Sequence, residues 1–199
     1  MKENYFAHKI SNEQTSQLPA VEFRGDIRII DRERHIDEAC RYLASQPFVG
    51  FDTETRPSFR QGVSHRVSLL QLSSSERCYL FRLNRIPLDK PILQLLANRQ
   101  LPKIGADVAG DLRSLRQLRH FRDGGFIDLQ DIAPQWGIEE KSLRKLSAIV
   151  LGHRVSKAQR LSNWEATTLT DKQQLYAATD AWVCIRIYEE LLRTSKILP

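Results

Sequence analysis

Apolar positions repeat along this chain with two periods. Ile27 to Ile30 predicts a short strand. From Arg34 to Ala44, Ile36, Ala39, Cys40 and Leu43 fall on one face of a helix. Phe48-Val49-Gly50-Phe51 is an apolar run that leads into Asp52-Thr53-Glu54, and Arg56-Pro57 ends that strand. Val67 to Leu72 and Cys78 to Leu83 read as two strands of a hairpin joined by Ser73-Ser74-Ser75. Leu88 to Ala97 predicts a helix, Lys103-Ile104-Gly105 a short buried strand, and Val108 to Leu118 another helix. Gly124-Gly125 breaks the chain before Phe126-Ile127-Asp128-Leu129 resumes it. Beyond residue 128 the pattern is helical. The last long helix starts at Thr170, where Thr170-x-x-Gln173 fits a capping box, and runs to about Leu192. Strands followed by alternating strands and helices predict an α/β fold with a mixed sheet. Residues 1–20 are polar and aperiodic, a tail or an arm on the surface, and 21–199 shows no linker, so it is expected to be a single domain.

Composition narrows the class. The 199 residues are 41% hydrophobic and 27% charged, which suits one globular domain and excludes a disordered or collagen-like chain. No stretch approaches the ~18 apolar residues of a membrane span, and the opening MKENYFAHKI has no apolar core, so neither membrane insertion nor secretion is expected. Cys40, Cys78 and Cys184 are odd in number and far apart, which fits reduced thiols in a cytoplasmic protein and no zinc site. A net charge of +6 favours polyanionic partners without bearing on the fold.

The informative residues are acids that interrupt apolar patterns. Asp52 and Glu54 are two apart, so on a strand they share a face. Adjacent carboxylates raise each other's pKa unless a cation joins them. Solvation past the strand end, or pairing of Glu54 with Arg56, would explain this pair as well. Asp111 sits in the stripe Val108, Asp111, Leu115, Leu118, facing the core or a cleft, where it needs a hydrogen bond, a core arginine or a metal. Asp107 just ahead fits a helix N-cap. On the last helix Asp180 interrupts the stripe Tyr176, Asp180, Val183, Ile187, Leu191, with the Tyr176 phenol one turn before it. A buried Tyr–Asp hydrogen bond would account for that pair alone. Together the four carboxylates form an all-oxygen set suited to Mg²⁺ or Mn²⁺. The five histidines are scattered, and no P-loop or dinucleotide-binding glycine motif is present.

These residues resemble a known family. Phe51-Asp52-Thr53-Glu54-Thr55, Gly110-Asp111-Leu112-x-x-Leu115 and Tyr176-Ala177-Ala178-Thr179-Asp180-Ala181 look like the three motifs of the DEDDy 3′–5′ exonucleases of the ribonuclease D and Werner exonuclease-domain type. Leu161-Ser162-Asn163-Trp164 and Leu169-Thr170 look like that family's approach to its third motif. The likeness covers roughly residues 25 to 193. It implies a ribonuclease H-like fold, two divalent cations, and hydrolysis of phosphodiester bonds at a nucleic-acid 3′ end, single-stranded or recessed, with release of nucleoside 5′-monophosphates. By this resemblance Asp52 would bridge both ions, Glu54 and Asp180 would complete the ion that holds the attacking water, Asp111 would serve the second ion, and Tyr176 would orient the water. A catalytically inactive nucleic-acid-binding module on the same fold is the alternative.

Three residues are expected on the substrate path: Thr53 between the first two acids, Phe59 as an apolar wedge for the terminal base, and Lys157 as a phosphate contact. Lys157 belongs to the basic, acid-free stretch 141–160, and Ser156-Lys157 resembles a recurrent family feature. A solvated helix face would explain that stretch too. Trp164 reads as a structural anchor.

Overall fold

The computed structural model describes residues 6–196. The first five residues of the polar segment and the last three of the chain lie outside them.

Six strands form one mixed sheet: β1 (Asp26–Ile30), β2 (Val49–Thr55), β3 (Val67–Ser73), β4 (Arg77–Arg82), β5 (Lys103–Gly105) and β6 (Phe126–Asp128), in the order β1-β4-β3-β2-β5-β6. β2, β3 and β4 pair antiparallel, including the expected hairpin, while β1, β5 and β6 join in parallel. The helices are α1 (Asn12–Gln17), α2 (Ile36–Ala44), α3 (Lys90–Ala97), α4 (Val108–Arg116), α5 (Leu129–Ile132), α6 (Leu143–Leu151) and α7 (Asp171–Arg193).

Strand alternation sends side chains to opposite faces. Phe51, Leu70, Leu72 and Phe81 pack against Leu43, Ile92, Leu96, Leu112 and Leu115 from α2, α3 and α4. Leu69, Cys78 and Leu80 point the other way, onto Ala177 and Ala178 of α7 and onto Trp164. A further cluster joins Ile104, Trp136, Leu146 and Val150 to Val183 and Ile187. Lys103 is fully buried in β5. Its Nζ donates to the carbonyls of Leu95, Asn98 and Leu101 at 3.3, 2.7 and 2.8 Å, closing the end of α3.

Two features place the site. α7 crosses β2 so closely that a Cβ on Gly50 would stand 1.9 Å from the Ala181 carbonyl oxygen. Only glycine permits that approach. β5 pairs with β2 only at Val49 and Gly50, whereas β3 follows β2 as far as Thr55. The carboxyl end of β2 therefore has one free edge, which helices on both faces can reach. Such crevices are where open α/β sheets bind ligands.

The structure departs from the sequence pattern in three places. α4 stops at Arg116, short of Leu118. Residues 152–170 hold no helix, because Gly152 turns left-handed (φ +66°) and ends α6. This long loop is pinned instead: Arg82 donates to the Ala166 carbonyl, Arg85 to Thr167, and Gln173 Nε2 to Asn163. The polar segment before residue 21 contains α1, with its own Ser11 capping box. It is docked through Arg144 to Ser16 Oγ, Arg154 Nε to the Leu18 carbonyl, and backbone bonds between Arg154 and both Pro19 and Val21. Among the described residues no helix is long and apolar enough to cross a membrane.

Candidate active site

Asp52 and Glu54 project from the free end of β2 on the face covered by α7, and Asp180 comes down from α7 to meet them. Oxygens of all three lie within 4.8 Å of one another. Asp180 is 7% exposed, and its Oδ1 has no hydrogen-bond partner. Asp52 and Glu54 are only partly buried. Burial, then the neighbouring Asp180 charge, holds the Asp52 carboxyl well above the usual carboxylate range. Burial and then Asp52, Asp180 and Asp111 push Glu54 up to about 10. Burial pushes Asp180 up to about 7, against a hydrogen bond from the Tyr176 phenol that lowers it. Crowded acids of this kind release their protons together when a cation is present. The donor set is hard oxygen throughout and fits Mg²⁺ or Mn²⁺.

Asp111 stands apart from these three. It rides on α4, on the opposite face of the sheet, beside Thr53 of β2. Its Oδ1 accepts from Thr53 Oγ1 at 2.6 Å. Burial, then Asp52, pushes its pKa up to about 8, against the lowering bond from Thr53. Thr53 alternates with Asp52 and Glu54 on β2, so its hydroxyl lies on the α4 side and is already engaged.

Asp107 occupies the N-cap position of α4 but makes no side-chain cap; it turns left-handed at φ +68°. The cap is Asp128 from β6, which accepts from the amides of Val108 (2.8 Å) and Asp107 (3.3 Å), and from Gln130 (2.9 Å) at the start of α5. Sequence reasoning missed this role, because the β5–β6 pairing that sets Asp128 opposite Gly105 is long-range.

Tyr176 is half-buried on α7, one turn before Asp180. Trp164 is fully buried against it, ring centroids 5.9 Å apart. Burial first, then the charge of Asp180 and of Glu54, drives the phenol pKa far upward. The hydroxyl is therefore protonated at neutral pH.

The stretch 141–160 divides by role. Arg144 and Arg154 hold the polar N-terminal segment, and Lys145 pairs with Glu140 at 2.7 Å. Lys157 and Arg160 are exposed. Ser156 and Gln159 line a cavity of about 310 Å³ that is walled by Val21, Glu22 and Lys172 and opens on Tyr176 and Asp180. On the other side, Arg56 and His65 both face Glu165 (3.1 and 3.6 Å), tying the loop after β2 to the loop before α7. Phe59, at the tip of the loop after β2, is 81% exposed.

A family model described as 3′–5′ exonuclease matches residues 27–196. The chain belongs to the 3′–5′ exonuclease family. The chain is 34% identical over 184 residues to the bifunctional 3′–5′ exonuclease/ATP-dependent helicase WRN of Mus musculus, covering 87% of this chain and 13% of that protein. It is 38% identical over 165 residues to exonuclease 3′–5′ domain-containing protein 2 of Drosophila melanogaster, covering 79% of this chain and 27% of that protein. It thus spans well under a third of either relative. Among solved structures its fold matches the Nibbler EXO domain of Aedes aegypti (TM-score 0.77, 21% identity, 87% and 92% of the two chains). It also matches RNase D of Escherichia coli (TM-score 0.76, 21% identity, 84% and 44%). A third match is RNase D of Trypanosoma brucei, solved with an RNA (TM-score 0.75, 23% identity, 87% and 64%). The six-stranded mixed sheet flanked by helices is the ribonuclease H-like exonuclease fold.

Proposed function

We propose that this protein is a divalent-cation-dependent 3′–5′ exonuclease that removes nucleoside 5′-monophosphates from the 3′ end of DNA or RNA, single-stranded or recessed. The observation that carries the reading is the convergence of Asp52, Glu54 and Asp180 within 4.8 Å beneath a protonated tyrosine, in a chain of this family. Asp52, Glu54 and Asp180 would hold the cation, with Asp111 serving a second one from the α4 side. The cations, when bound, lower the pKa of a coordinated water and neutralise charge on the attacking and leaving oxygens. The phenol of Tyr176 is too weak an acid to act as a base at pH 7. Its proton is directed to Asp180, and its oxygen accepts a hydrogen bond from the attacking water and orients it. Hydrolysis joins the water oxygen to phosphorus and breaks the bond to the 3′ oxygen. The shortened strand keeps a 3′ hydroxyl, and the 5′-monophosphate leaves.

In this reading Lys157 contacts backbone phosphate and Phe59 stacks against the terminal base. Thr53 lies beside the substrate, but its hydroxyl acts by holding Asp111. Residues 21–199 serve as the exonuclease domain and 1–20 as an arm upon it. The three buried, unpaired thiols suit a cytoplasmic setting. The test is end-labelled DNA and RNA, single-stranded and recessed, incubated with Mg²⁺ or Mn²⁺. Stepwise shortening from the 3′ end, abolished by chelator, is expected. A mobility shift without shortening would instead identify a binding module.

A further inference from the structure

Gln71 lies on β3 directly opposite Asp52 in the antiparallel register. Residues so paired project to the same face, with Cβ atoms about 4.5–5.5 Å apart. Gln71 therefore stands immediately behind the acidic cluster, under α7. It is fully buried, and among the described residues neither Nε2 nor Oε1 has a hydrogen-bond partner. The unpaired nitrogens on this face, Arg82 Nε and Trp164 Nε1, are donors and cannot use its N–H. Leu80 faces it across β4, and Ala177 and Ala178 belong to the apolar layer of α7 on this face. A backbone hydrogen bond from Thr53 favours the charged form of the Asp52 carboxyl.

An amide buried without a partner is costly, and leucine or methionine would fill this place without that cost. The carboxylates on this face are Asp52, directly opposite Gln71, and Glu54, one step along the diagonal, so Asp52 is the nearer by register to use its N–H donor. Oxygens that ligate metals are commonly oriented by such outer hydrogen bonds.

We propose that Gln71 is a positioning residue of this site, donating Nε2–H to the Asp52 oxygen that faces away from a bound cation. The proposal rests on the cation-dependent reading above. Gln71 holds the carboxylate at the angle at which its other oxygen meets a cation shared with Glu54 and Asp180. In the metal-free protein the amide is left over, so its removal should not weaken the fold.

The test compares wild type with Gln71→Met, which keeps the shape, and Gln71→Leu. Melting temperature is followed as Mn²⁺ is titrated, with calorimetry as a second readout. Both variants should melt at or above wild type without metal. Both should need about tenfold more Mn²⁺, or beyond, for half the shift. A half-saturation point within twofold of wild type overturns the proposal. So does a fall in metal-free melting temperature for both variants, which would make the amide a packing element. If wild type itself shows no response to Mn²⁺, the cation site fails and takes this role with it. If wild type responds and the variants respond equally, only the role of Gln71 fails.

Discussion

Two acidic groups flank the free edge of β2, and they are built in opposite ways. On the α4 side every acid that matters to the fold is used. Asp128 takes three backbone amides, and Asp111 takes the Thr53 hydroxyl. On the α7 side Asp52, Glu54 and Asp180 crowd together, one oxygen of Asp180 has no partner, and each is forced toward its protonated form. Asp128 does structural work that needs nothing further, while Asp111, pushed up to about 8 by burial and Asp52, is held by Thr53 for the second-cation role proposed for it. The α7-side group is stable only with a proton or a cation among its oxygens. What separates Asp128 from the crowded acids is that its hydrogen-bonding capacity is already met by backbone amides.

The sharpest break in this comparison is on the α7 side. Asp180→Ala should reduce nucleotide release on the order of a thousandfold or more, measured with end-labelled oligonucleotide, while the far-ultraviolet circular dichroism stays native. Retained activity would show that the crowded acids are not the working site. Tyr176→Phe keeps the ring against Trp164 and removes only the hydroxyl. It should lower kcat roughly tenfold to a hundredfold and leave the Mn²⁺ half-saturation point near wild type. Loss of metal binding instead would move Tyr176 from water orientation to the acids themselves.

Asp128 on the α4 side should respond in stability and not in chemistry. Asp128→Ala removes the cap and should cost about 1–2 kcal/mol, read from denaturant midpoints. Metal affinity should change little, beyond any shift transmitted through Asp111. The smallest effect belongs to the substrate path. Lys157→Ala should weaken oligonucleotide binding uniformly across sequences and lower the slope of log K against log salt by about one. An unchanged slope would leave Lys157 a solvated surface residue.

Much of this was legible in the sequence, for local reasons. The acids stood out because each interrupts an apolar stripe, and a stripe is a short-range pattern. The Thr170–Gln173 capping box and the β3–β4 hairpin are local as well, and both formed. What the sequence hid is set by long-range register. The Asp128 cap depends on the pairing of β6 with β5. The unpaired state of Gln71 depends on its position across from Asp52. The stretch 141–160 carries one charge sign throughout, yet Arg144 and Arg154 serve the N-terminal segment while Lys157 faces solvent. Composition cannot make that division, because it depends on which carbonyls and hydroxyls come close in space.

The α7-side acids are probed most directly by pH and metal together. Asp180 and Glu54 have folded pKa values of about 7 and about 10, above the ordinary carboxylate range. The folded state therefore binds more protons than the unfolded one. Their contribution to stability is fully present below about pH 4 and is lost as pH rises through the folded values. A bound cation replaces those protons, so its stabilisation must grow with pH. The decisive measurement is the melting temperature with and without millimolar Mn²⁺ from pH 5.5 to 8.5, for wild type and Asp180→Asn. For wild type a metal-induced rise of several degrees that widens with pH is expected, and for Asp180→Asn a far smaller one. Equal curves with and without Mn²⁺ across that range would contradict a cation site among these acids.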